Sequence, residues 1–284
     1  MVPPSSVSGS DTEALGENIL AELTLLARRL AEAAGEAALP HFRSAALIAE
    51  NKATGAFDPV TAADRSAEAA VRAILAAERP RDGILGEEDI ARASESGLTW
   101  IIDPIDGTRS FISGVPTWGV LIALDDGSTG RIGIVAQPYI GELFIGVKGP
   151  RAARAWFERG ETRRNLRTRP CAGLEAASLF TTSPQMFAAG EWEGFQKVAA
   201  RAQLTRYGTD CYGYALLAHG LIDLVIESDL AAYDIAAPKV LVEAAGGVVT
   251  DWHGGDCRQG GQVIAAGDRA VHAEALALLA PYAL

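Results

Sequence analysis

Three short acidic segments carry the residues in this chain best suited to chemistry: Gly86-Glu87-Glu88, Asp103-Pro104-Ile105-Asp106-Gly107-Thr108, and Tyr233-Asp234-Ile235-Ala236-Ala237. Each falls where an apolar run ends or a helix begins, so its side chains project into a cleft instead of packing. Asp103 follows the apolar strand Trp100-Ile101-Ile102, and Pro104 is expected to stop the ladder there. Asp106 comes three residues later, so the two carboxylates can turn toward one point, with Gly107 permitting close backbone approach and Thr108 adding a hydroxyl and an N–H. Hard cations such as Mg²⁺ take oxygen ligands in near-octahedral geometry, often a few carboxylates plus substrate phosphate. Each piece also has a plainer reading. Gly-Glu-Glu is commonly a solvated turn, the Asp-Pro segment can be an Asx-capped turn, and Asp234 suits a helix N-cap.

Composition narrows the classes. The chain has 284 residues, 49% hydrophobic and 21% charged, which excludes a wholly disordered or fibrous protein. Its net charge of −11 disfavours broad nucleic-acid binding but leaves room for a small phosphate held through metal ions. Cys171, Cys211 and Cys257 are odd in number and widely spaced, arguing against a disulfide framework or thiolate zinc site. His41, His219, His253 and His272 share no ligand spacing. Met1–Gly16, rich in Pro and Ser, reads as a flexible tail, not a signal peptide, and no apolar run is long enough to span a membrane. A cytoplasmic, reduced protein is expected.

The elements that must position the acids follow from periodicity. Helical spacing marks Glu17–Ala38 and Asp64–Glu78, with a breaker-rich loop or hairpin at Asn51–Val60 between them. Short apolar runs at 84–85, 100–102, 118–124, 132–136 and 143–147 read as strands. The basic stretch Arg151–Pro170 is the expected boundary between an N-terminal half, 17–150, with most metal ligands, and a C-terminal half, 151–284, that completes the site. Beyond it, strands at 178–182, 224–226, 248–250 and 263–265 alternate with helices at 191–201, 211–219, 234–245 and 268–279. The fold class is α/β of the α+β type, with layered, mixed sheets.

The segments Trp100–Ile112 and Tyr233–Gly247 together resemble the two signatures of the inositol monophosphatase family, and the resemblance extends from about Glu17 to the C-terminus. It implies an αβαβα sandwich, commonly a homodimer, and an Mg²⁺-dependent, lithium-sensitive phosphatase acting on a small phosphorylated substrate. Carried over by position, Glu87, Asp103 and the carbonyl of Ile105 would hold one metal, and Asp103, Asp106 and Asp234 a second. Glu87 would also serve a looser third, and Mn²⁺ could replace Mg²⁺. Gly107 and Thr108 would donate N–H groups to the phosphate. Asp64 would accept from the Thr108 hydroxyl, and that pair with Glu87 would orient a metal-activated water for in-line attack. Lys52 and Asp58 lie in the loop that closes over the metals in the family, and Glu88 would support the site from behind.

The continuation Arg109–Gly114, the segment Arg206–Leu217 and Tyr233 are closer to the histidinol-phosphatase branch than to the inositol branch. Histidinol phosphate carries an ammonium group and an imidazole, which Asp210, Glu227 and Asp234 could meet with charge-assisted hydrogen bonds; Arg206 and Asp106 complete the expected substrate contacts. Asp210 could equally cap the helix near Tyr212. The reading is a histidinol-phosphatase of histidine biosynthesis. The alternatives are an inositol-1-phosphate or broad small-molecule phosphatase and, from another class, a non-catalytic partner of the transcription machinery.

Overall fold

The computed structural model describes residues 15–45, 49–51 and 59–284, with side chains described through 45 and from 61 onward. In chain order the elements are α1 (Glu17–Ala38), β1 (Ala49–Asn51), β2 (Pro59–Thr61), α2 (Ala62–Glu78), β3 (Gly83–Gly86), β4 (Thr99–Asp106), α3 (Thr108–Ile112), β5 (Gly119–Asp125), β6 (Gly130–Gln137), β7 (Glu142–Lys148), β8 (Ala153–Arg159), β9 (Thr162–Asn165), β10 (Ser178–Thr181), α4 (Ala189–Ala199), β11 (Leu204–Tyr207), α5 (Tyr212–Ala218), β12 (Leu224–Leu230), α6 (Ala232–Ala244), β13 (Val248–Thr250), β14 (Gly261–Ala266) and α7 (Arg269–Leu279).

β1 and β2 pair antiparallel as a two-stranded sheet, and two larger sheets organise the rest. A seven-stranded sheet runs β3-β4-β5-β6-β7-β8-β9, parallel only between β3 and β4. A five-stranded sheet runs β11-β10-β12-β14-β13, parallel from β11 through β12 and antiparallel beyond. Strand β5 shows why helices must cover both faces of the larger sheet. Val120, Ile122 and Leu124 enter the core beneath α1 and α2, while Leu121 and Ala123, one residue out of phase, enter the core shared with α5 and α6. The far side of α5 and α6 meets the smaller sheet, whose other face packs Leu179, Leu224, Ile226 and Ile264 against Phe195 and Val198 of α4 and Val271 and Ala275 of α7. The layers are therefore α1/α2, sheet, α5/α6, sheet, α4/α7, the αβαβα sandwich that the family resemblance implies.

The strands and long helices lie close to where periodicity places them. The basic stretch 151–170 differs: it contains β8 and β9, both hydrogen-bonded into the first sheet, so the chain changes sheets after Asn165. All four residues of β9 are exposed, which leaves no apolar alternation to read. Helix α2 starts in a capping box: the Thr61 hydroxyl accepts from Ala63 N–H, and Asp64 Oδ2 accepts from the Thr61 N–H. No helix among the described residues is long and apolar enough to cross a membrane.

Asp82, 2% exposed at the entry to β3, fixes the end of the sheet away from the acidic segments. Its Oδ2 accepts from the indole N–H of the buried Trp100 (2.9 Å) and from Arg79 Nε (2.7 Å), and its Oδ1 from the Ser96 hydroxyl (2.7 Å). Asp82→Ala leaves an indole N–H and a guanidinium without this acceptor, at an expected cost of about 3 kcal/mol. Urea unfolding measures it. A loss below about 0.5 kcal/mol, the range of ordinary surface substitutions, would show that the cluster adds nothing.

Candidate active site

Asp103 and Asp106 stand an odd number of residues apart on one strand, so regular pleating would send them to opposite faces. The pairing of β4 with β5 removes the conflict. Asp103 pairs with Leu121 and Asp106 with Gly119, three steps on β4 against two on β5, so β4 carries one extra residue at Pro104-Ile105. Pro104 therefore does not end the strand, as its missing N–H suggests; it sits in a bulge where the ladder is already interrupted. The bulge rephases the strand and brings both carboxylates to one side. Ile105 keeps its side chain in the core, donates its N–H to Asp103 Oδ1 (3.1 Å) and accepts the Thr108 hydroxyl at its carbonyl (3.2 Å).

Asp234 comes from the first turn of α6. It is the third residue of the helix, not its N-cap, and its Oδ2 reaches back to the N–H of Ala231 (2.6 Å). Asp103, Asp106 and Asp234 each offer one oxygen within 4.8 Å of the others. Glu87, just beyond β3, lies against Asp103, with the two carboxyls in hydrogen-bonding contact. Its loop is held from beneath by Glu68 of α2, 1% exposed, whose Oε2 accepts the Glu88 N–H (2.8 Å) while Oε1 accepts from Arg72 (2.7 Å). A Cβ on Gly86 would fall 2.1 Å from Glu68 Oε1, so glycine is what lets the loop settle on the helix. Glu68 escapes sequence reading because an acid on an otherwise small-residue helix reads as a solvated face.

Electrostatics make this cluster unfavourable by itself. Burial first, then the charges of Glu87, Asp106 and Asp234, hold the Asp103 carboxyl well above its ordinary range. Asp106 is raised by burial and by Asp210 and Asp234, against an opposing hydrogen bond from the Cys211 N–H (2.6 Å). Burial lifts Asp234 to about 6. Among the described residues, no ion pair reaches Asp103, Asp106 or Asp234. A set of close, buried, oxygen-only donors lacking a protein cation fits a hard divalent metal ion.

Beside the cluster opens a cavity of about 210 Å³ lined by Asp106, Gly107, Thr108, Arg109, Thr182, Met186, Asp210, Tyr214, Glu227 and Asp234, among others. Glu227, 3% exposed on β12, accepts from the Thr182 N–H (3.1 Å) and hydroxyl (2.6 Å) at Oε1 and from the Tyr214 hydroxyl (2.8 Å) at Oε2. Asp210 caps nothing: Cys211 is the N-cap of α5 and has no side-chain cap bond, while Asp210 Oδ2 accepts from Ser110 and Thr117. Thr117, Thr182 and Met186 stand in no motif, and Ser110 and Tyr214 enter the sequence reading only within the segments Arg109–Gly114 and Arg206–Leu217, because a lone side chain carries no spacing signal.

Some expected contacts are not brought together. Arg206 is exposed on the edge strand β11 and is not among the residues lining the cavity. Asp64 Oδ2 accepts from the N–H and hydroxyl of Thr61, and the Thr108 hydroxyl turns to the Ile105 carbonyl, so three local hydrogen bonds stand where an Asp64–Thr108 bond was expected. Lys52 and Asp58, like the Met1–Gly16 tail as far as residue 14, lie outside the described residues.

Comparison with known proteins adds an independent line. The sequence profile of the inositol monophosphatase family matches residues 19–283. The chain is 36% identical over 282 residues to the chloroplastic bifunctional phosphatase IMPL2 of Arabidopsis thaliana, covering 95% of this chain and 79% of that protein. It is 36% identical over 230 residues to a histidinol-phosphatase of Chlorobaculum parvum, covering 81% and 85%. Among solved structures, an inositol monophosphatase from Zymomonas mobilis superposes with a TM-score of 0.80 at 40% identity, covering 91% of this chain and 98% of that one.

Two outcomes follow from the buried charges. Burial pushes Glu227 from 4.5 to about 7, so the folded state keeps this proton to higher pH than the unfolded state. Stability falls as pH rises from about 4.5 to about 7, and the charged carboxylate costs about 3 kcal/mol above that window. Glu227→Gln, whose amide can still serve Thr182 and Tyr214, should stabilise the metal-stripped protein at pH 8 and match wild type near pH 4; parallel urea curves at both pH values would refute this. Asp103→Asn should raise the melting temperature of the metal-stripped protein at pH 8 by about 3 °C and abolish its rise on adding Mg²⁺. A lower melting temperature, or an undiminished Mg²⁺ response, would contradict the site.

Proposed function

Because this chain belongs to the inositol monophosphatase family, whose members are metal-dependent phosphatases of small phosphorylated substrates, we propose that it hydrolyses L-histidinol phosphate to L-histidinol and orthophosphate in histidine biosynthesis. The observation that carries this reading is the cavity's composition: two acids that are not part of the three-carboxylate cluster, Asp210 and Glu227, line it beside that cluster. A phosphate bound toward the cluster leaves the rest of its substrate facing Asp210 and Glu227, and a cationic amino alcohol gains charge-assisted hydrogen bonds there. The likeness to a histidinol-phosphatase at 36% identity supports the same choice.

Asp103, Asp106 and Asp234, with Glu87 and the Ile105 carbonyl, would hold Mg²⁺ ions, or Mn²⁺ in their place. Bound there, such ions polarise phosphoryl oxygens, lower the pKa of water and stabilise the leaving alkoxide. The protein's own part is positional. Gly107 and Thr108, at the start of α3, direct backbone N–H groups at the phosphate oxygens. Glu87 orients the attacking water, and Thr108 and Asp64 act through the backbone they fix, at Ile105 and Thr61. In-line attack forms a new P–O bond to water and breaks the ester P–O bond, and the alcohol leaves with a proton.

A second reading has its own support. The Zymomonas mobilis structure, 40% identical, is of an inositol monophosphatase, which favours inositol-1-phosphate or a broad set of small phosphates. Phosphate release with Mg²⁺ across L-histidinol phosphate, inositol-1-phosphate, fructose-1,6-bisphosphate and phosphoadenosine phosphate separates the two. The specificity constant for L-histidinol phosphate is expected to exceed the others by about 100-fold or more, the scale that satisfied buried polar contacts give. A flat profile, or a preference for inositol-1-phosphate, would leave the phosphatase chemistry standing and overturn the substrate.

A further inference from the structure

Asp210 is held in an unusual way for a residue that lines a cavity rich in acids. Its backbone is left-handed, with φ +45°, and its side chain is pressed against Gly107, where an added Cβ would fall 2.7 Å from Asp210 Cγ. Both hydroxyl contacts go to one oxygen: Ser110 Oγ donates to Oδ2 at 2.5 Å and Thr117 Oγ1 at 2.9 Å, with the two hydroxyl oxygens 3.1 Å apart. A carboxylate oxygen accepts along two lone pairs, so Oδ2 is saturated. Oδ1 accepts no hydrogen bond among the described residues and is not a fully buried orphan, which leaves it open to the cavity.

We propose that Ser110 and Thr117 are specificity-positioning residues, which clamp Asp210 through Oδ2 so that Oδ1 is presented to an ammonium group of the substrate. The inference rests on the substrate reading above and assigns roles to two hydroxyls outside the carboxylate cluster. Without the clamp, the carboxylate is free to turn about its Cα–Cβ and Cβ–Cγ bonds and no longer presents one oxygen in a fixed direction. With it, the charge is kept for the organic end of the substrate. Ser110 lies in α3, two residues after Thr108, so the element that starts at the phosphate end also sets the acid at the other end. A neutral hydroxylated substrate gains less from Oδ1 than an ammonium does, so the clamp acts on discrimination.

The test compares L-histidinol phosphate with inositol-1-phosphate on wild type, Ser110→Ala, Thr117→Val and Ser110→Thr. In Ser110→Ala and Thr117→Val the ratio of the two kcat/KM values should fall about tenfold, through a higher KM for the cationic ester and not through kcat. Ser110→Thr, which keeps the hydroxyl, should restore it. A wild type that prefers the cationic ester while both hydroxyl deletions keep its ratio overturns this inference and leaves the proposed function intact. A wild type without preference overturns both. Equal losses on the two substrates reduce the hydroxyls to structural supports and also overturn it.

Discussion

Everything around the cavity answers to the mutual repulsion of Asp103, Asp106 and Asp234. Among the described residues, no lysine or arginine forms an ion pair with these acids. The fold fixes each through one oxygen with a backbone N–H: Ile105 to Asp103, Cys211 to Asp106 and Ala231 to Asp234. Backbone donors orient a carboxylate without cancelling its charge, so the cluster keeps its need for a cation. The three donors come from the β4 bulge, the turn before α5 and the turn before α6, which makes the cluster a junction between the two sheets.

A second bulge repeats the device. On β12, Glu227 pairs with Val263 and Leu230 with Gly261, three steps against two, with Asp229 at φ +59° inside the irregularity. The two strands that bring acids to the cavity are thus both interrupted where they reach it, while the regular parts of the same strands are buried and apolar. Regular pairing supplies rigidity and the interruptions aim the side chains. Rigidity and aim come from different residues of one strand.

This division explains what was legible in the sequence. Layered, mixed sheets with helices were readable because α1, α2, β5 and β6 have strong periodicity, the five-layer order came only from the family resemblance, and the carboxylate cluster was readable because Asp103, Asp106 and Asp234 stand in compact motifs. The convergence of Asp103 and Asp106 was anticipated, but its cause was not, since a bulge is a property of two strands in register and Pro104 alone reads as an end. Glu68 was missed because its partner, the Glu88 N–H, is distant in sequence and carries no side-chain signature. Arg206 was placed in the site on motif position, whereas β11 is an edge strand that leaves it in solvent. For Asp210 the sequence leaves helix cap and substrate contact both open, and its partners Ser110 and Thr117, which set aside the cap, lie about a hundred residues away.

The junction also has a consequence for how the chain is made. The buried residues of the core beneath α1 and α2 all precede β8, whereas Asp234 arrives only with α6, after three strands of the second sheet, β10, β11 and β12, have been made. During vectorial synthesis, where N-terminal parts emerge and fold first, Asp103 therefore has its Ile105 N–H early, while Cys211, which fixes Asp106, and Asp234 itself are still to come. Cation capture is a late event in the life of the nascent polypeptide, reserved for a chain whose C-terminal half has left the ribosome.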